Sequence, residues 1–95
     1  MKTFAKIIIE GATSDKNLFK RTLMSLSLML QKNNQNLEYF KYWVINNYYS
    51  EFKDEITYVF DIDYTKNKDE YNIAIHLAKK LEKEYNRLIN KKVTA

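Results

Sequence analysis

Five cations in the C-terminal third of the chain are the residues best spaced for chemistry. Lys79, Lys80, Lys83, Arg87 and Lys91, with His76 beside them, fall within about a third of the circumference if the segment is helical. Lys79/Lys83, Lys83/Arg87 and Arg87/Lys91 stand four apart. Like charges at that spacing each cost an isolated helix about a few tenths of a kcal/mol. Glu82 and Glu84 flank the stripe and offset part of this cost. A cationic face of this kind suits phosphates or an acidic protein surface. The plainer reading is a solvated face in a lysine-rich chain. His76 is the only histidine, with lysines for neighbours, and a triad needs a nucleophile and an orienting acid around it. It reads as a solvent-facing imidazole. Gly11 stands alone, which excludes a glycine-rich phosphate loop, and the lack of cysteine excludes thiolate metal sites and disulfides.

One acidic motif bears a likeness to a known family. Asp61-Ile62-Asp63-Tyr64-Thr65, preceded by Val59-Phe60, resembles the Asp-x-Asp-x-Thr motif of the haloacid-dehalogenase phosphatases. The resemblance implies a nucleophilic first aspartate and a proton-handling second one. It covers those few residues and goes no further. That family needs a doubly wound domain with acidic and lysine motifs downstream, and only 30 residues follow Thr65. On a strand, the two carboxylates would project the same way and could seed a magnesium site, with Glu10 as a third oxygen donor and Lys66 or Lys68 nearby. Simple alternation on a solvated strand face is the plainer explanation of the pair. No catalytic residue, metal ligand or cofactor is therefore assigned.

The elements that would position these groups follow from apolar spacing. Residues 2–10 end in the β-branched run Ile7-Ile8-Ile9, closed by Gly11, and read as a strand. Thr13-Ser14-Asp15 supplies N-cap chemistry for a helix over 15–32, in which Phe19, Leu23, Leu26 and Leu30 share one face. Residues 37–52 fit a helix capped by Asn36, with Leu37, Phe40, Val44, Tyr48 and Phe52 on one side. The alternative is a hairpin turning at Asn46-Asn47. Residues 55–65 alternate Ile56, Tyr58, Phe60, Ile62 and Tyr64 with mostly polar residues, the pattern of a half-buried strand. A helix over 69–91 would bury Ala74, Leu77, Ala78, Leu81, Tyr85 and Leu88. The expected fold is α+β, in the order β-α-α-β-α or, on the hairpin reading, β-α-β-β-β-α, with helices packed on a small sheet. With one glycine and no proline, tight loops needing positive φ must use asparagine.

A second constellation is apolar. Met24 and Leu28 lie four apart, away from the Phe19/Leu23/Leu26/Leu30 face, and Tyr39, Tyr42, Trp43 and Tyr49 fall away from the main stripe of a helical 37–52. Methionine, tyrosine and tryptophan are enriched in contact patches. These six are the expected interface residues, and a homodimer or a tight partner complex is the expected assembly. Burial of those elements on both sides is the competing explanation.

Composition bounds the rest. A chain of 95 residues, 45% hydrophobic and 15% aromatic, is one domain with ample material for one core, and too aromatic for disorder. The lack of cysteine favours a reducing, cytoplasmic setting. No apolar run approaches a membrane span or a signal segment. A membrane surface is not an expected partner, because so small a domain needs the Ala74/Leu77/Leu81/Leu88 stripe for its core. Lysine, asparagine, isoleucine, tyrosine and phenylalanine make up nearly half the chain and have AT-rich codons, which suits a phage or other mobile element. The expected function is non-catalytic docking on a host protein or protein–nucleic acid complex, for example to inhibit a defence nuclease. The alternative is a small nucleic-acid-binding protein using the basic helix face, to which the net charge of +4 adds a weak attraction.

Overall fold

The computed structural model describes residues 1–94 and contains four helices: α1 (Lys2–Glu10), α2 (Lys16–Lys32), α3 (Leu37–Asp61) and α4 (Lys68–Thr94). There is no strand among the described residues, so the expected α+β fold is corrected to an all-helical one. Residues 2–10 and 55–61, read as strands, are helical, with 62–65 in the loop that follows, and each carries a helical period beneath its β-like composition. In α1 the buried Ala5 and Ile9 and the half-buried Phe4 and Ile8 repeat at i, i+1, i+4, i+5, which is one helix face. Gly11 follows in right-handed backbone, φ −69°, and its N–H donates to the Ile7 carbonyl. Around residue 60 the buried side chains are Phe52, Ile56 and Val59, spaced by four and three. Val59, placed on the polar side by the alternation, is core.

The helix expected over 15–32 is α2. Asp15 caps it, accepting from the Leu18 N–H at 3.0 Å. Its C-terminus closes with asparagine where glycine is commonest. Asn34 takes φ +57°, the Gln35 N–H donates to the Leu30 carbonyl, and the Asn34 N–H donates to that of Gln31. Residues 37–52 are helical, and Asn36 caps α3 through the Tyr39 N–H at 3.1 Å. The helix breaks at Phe52, φ −126° and ψ 34°, where neither proline nor glycine is present. There the Phe52 ring stacks on Phe19 with centroids 4.0 Å apart.

α2 is the central element, packed against α4, α3 and α1. It is covered almost all round: Phe19, Leu23, Met24, Leu26, Met29 and Leu30 are at most 1% exposed. Ser25 and Ser27 interrupt its apolar run and are nevertheless buried. Their hydroxyls donate to the Arg21 and Leu23 carbonyls, each at 2.8 Å, so neither is left unsatisfied. α4 has 27 residues against 17 in α2, so it overruns its partner by several turns. No helix among the described residues is long and apolar enough to cross a membrane.

Candidate functional site

α4 buries Ala74 and Ala78 against the core and turns its opposite face outward. His76, Lys79, Lys80, Lys83, Arg87 and Lys91 are all exposed. Packing α4 against α2 adds a cation that the linear spacing does not reveal. Lys32, in the last turn of α2, reaches Glu82 at 3.5 Å, and Asn33 Nδ2 donates to the other oxygen of the same carboxylate at 3.0 Å. On the other flank Glu84 accepts from Arg87 Nε at 3.1 Å. That hydrogen bond holds the Glu84 carboxyl below its usual range and the Arg87 guanidinium above its own. Both flanking acids are thus occupied. Lys79, Lys80 and Lys83 make no ion pair with the described residues, and they occupy successive turns between those acids.

Three open depressions adjoin one another along α4. One, of about 340 Å³, lies among Lys32, His76, Lys79, Lys80 and Lys83. The next, of about 310 Å³, shares Lys32, Lys79 and Glu82 with it and has an apolar floor of Leu28, Met29, Ile75 and Ala78. The third, of about 430 Å³, shares Tyr71 with the second and is bounded by Tyr64 and Lys68. They succeed one another along α4 as a trough in three parts, cationic at one end, apolar in the middle and aromatic at the other. Tyr64 meets Tyr71 edge-on, with centroids 5.2 Å apart. Burial, with the neighbouring Tyr58 and Tyr71, raises the pKa of the Tyr64 hydroxyl.

The expected interface residues separate into two groups. Met24 is fully buried and packs within the monomer, because α2 is central, while Leu28 is half-buried against the core and borders the second depression. Trp43 is half-buried and packs on Phe40 and Tyr48. Tyr39, Tyr42 and Tyr49 are exposed, Tyr42 over 63% of its surface. The Tyr39 ring is already faced by the ammonium groups of Lys2 and Lys6, at 4.3 and 5.1 Å.

The acidic pair does not form a site. Asp61 ends α3, while Asp63 lies in the following loop, where its carboxylate accepts from the Thr65 N–H at 2.9 Å and the Thr65 hydroxyl at 2.6 Å. Those bonds, the hydroxyl's first, pull the Asp63 pKa down. Among the described residues no three histidine, aspartate or glutamate side chains converge as a metal site would require. The sequence reading missed Lys32, Tyr64 and Tyr71. Lys32 joins the basic face only through the α2–α4 contact and Tyr64 only through the fold-back after α3, which leave no mark in local spacing; Tyr71 stands on α4 itself. Comparison of the chain with protein families, with curated proteins and with solved structures found no match.

Proposed function

We propose that this chain is a non-catalytic binding protein that docks on nucleic acid, free or held in a host protein complex, through the trough along α4. A phage or mobile-element origin, with a host nuclease complex as target, is the biological setting this reading favours. One observation carries it: Lys79, Lys80 and Lys83 lie unpaired on one exposed face while both flanking acids are occupied by other cations. Three neighbouring lysines without an ion pair among the described residues leave a local excess of positive charge that an anion can neutralise. Each phosphate neutralised by such a face releases counterions, which gives affinity without any base-specific contact. The full burial of Met24 leaves no continuous exposed apolar stripe on α2 for docking.

The test compares Lys79→Gln/Lys83→Gln with Lys16→Gln/Lys53→Gln, which removes two exposed lysines elsewhere. Anisotropy of a labelled oligonucleotide at low salt should show at least about a tenfold loss for the first pair. The control pair should behave like the parent. Equal effects would reduce the signal to net charge and defeat the assignment of the site.

A second reading rests on the exposed Tyr39/Tyr42/Tyr49 face of α3, suited to a protein partner or a second copy of this chain. It requires that Tyr42→Asp dissociate a complex, seen by sedimentation of the protein alone and with its target, while the fold is retained.

A further inference from the structure

We infer that the trough selects single-stranded over duplex nucleic acid, with Tyr71 as the platform for one base and Lys79 and Lys83 as phosphate contacts. This inference rests on the nucleic-acid reading above and narrows it. A row of exposed lysines alone would serve a duplex as well as a strand, because both present phosphates. What differs is the remainder of the trough. Its middle is floored by Leu28, Met29, Ile75 and Ala78, and its far end by Tyr71, which is 36% exposed. A duplex keeps its bases stacked inside and offers such a surface only sugar and phosphate. A single strand carries planar apolar faces and phosphates on the same chain, so it can cover both halves of the trough at once.

The geometry at Tyr71 supports that role. The ring borders two of the depressions and is 36% exposed, so it can be reached from the trough. Tyr64, half-buried, packs against it in an edge-type contact with centroids 5.2 Å apart, which holds the ring in place. Lys79 borders the depression that Tyr71 also borders, and Lys68 lies beyond the ring, so cations flank the aromatic end on both sides. An acidic peptide would satisfy the lysines, but its carboxylates offer the Tyr71 ring no planar partner. The strand is therefore the favoured occupant.

The experiment titrates the full chain, at low salt, into labelled oligothymidine, a labelled duplex of equal length, and polyglutamate. It uses the parent, Tyr71→Ala and Tyr71→Phe, with circular dichroism to confirm that each variant is folded. The parent should hold oligothymidine at least about fivefold tighter than the duplex, since one stacked base contributes that much. Tyr71→Ala should abolish this preference by weakening only the single strand, and Tyr71→Phe, which keeps the ring, should restore it. Equal binding of strand and duplex, unchanged in Tyr71→Ala, would overturn the inference and leave the nucleic-acid reading standing. A strand preference that survives Tyr71→Ala would overturn the assignment of the platform. Binding of polyglutamate with neither nucleic acid bound would overturn the inference and the reading beneath it together.

Discussion

α2 and α4 are both long amphipathic helices in contact with each other, yet they are used in opposite ways. α2 is enclosed by α1, α3 and α4, and even its serines are buried with their hydroxyls turned back on the preceding turn. α4 fully buries only a narrow stripe of alanines, with Leu81 partly buried beside them, and turns a cationic face to solvent on the opposite side. Stability is concentrated in one helix and charge in the other. Substitutions on α2 should therefore read out as folding, and substitutions on the outer face of α4 as binding.

The strongest way to break that contrast is to cut into α2. Leu23→Ala removes a fully buried side chain and should cost about 2–5 kcal/mol, measured by chemical denaturation. Lys83→Gln on α4 should stay within about 0.5 kcal/mol by the same measurement. Comparable losses would mean that the two helices share the core more evenly than their burial implies. Asp15→Ala should have an intermediate effect, about 1 kcal/mol, because it removes the cap that accepts from the Leu18 N–H. The smallest effect belongs to the loop that leads into α4. The Asp63 carboxyl is held below the usual range by Thr65, so it adds stability that is present above its unfolded value and lost as pH falls through its folded value. Thr65→Val should therefore be slightly less stable at neutral pH. The gap should close well below about pH 4, where the carboxyl protonates in both states. A gap that stays constant down to low pH would remove Asp63 as its source.

Much of this helical arrangement was legible in the sequence, and what was not has a physical cause. α2, the first half of α3 and α4 follow from apolar period and from Asp15 and Asn36 as caps, both of which accept as expected. The use of asparagine for positive φ appears at Asn34. The two strand expectations failed where β-branched and aromatic residues obscured a helical period. Ile7-Ile8-Ile9 belongs to a helix because Ala5 and Ile9 pack together against the core, and Ile7 is left 62% exposed. Residues 55–65 alternate for several positions, but the break at Phe52 resets the phase, so Ile56 and Val59 point inward together. Tertiary packing outweighs strand propensity in both places. Of the site, the α4 cations could be read from spacing alone. Lys32 could not, because only the α2–α4 packing brings it to the trough, whereas Tyr71 stands on α4 itself, in line with Ile75 and Lys79 at spacings of four, and that spacing was open to the same argument.

The central claim, that the outer face of α4 meets phosphates, is tested most directly by the salt dependence of binding. The logarithm of the affinity for oligothymidine, plotted against the logarithm of salt concentration, should be linear and steep for the parent. Lys79→Gln/Lys83→Gln should flatten the slope by about 1.4, since each single-strand phosphate contact contributes about 0.7. A slope that is shallow in the parent, or unchanged when the two lysines are removed, would contradict the claim.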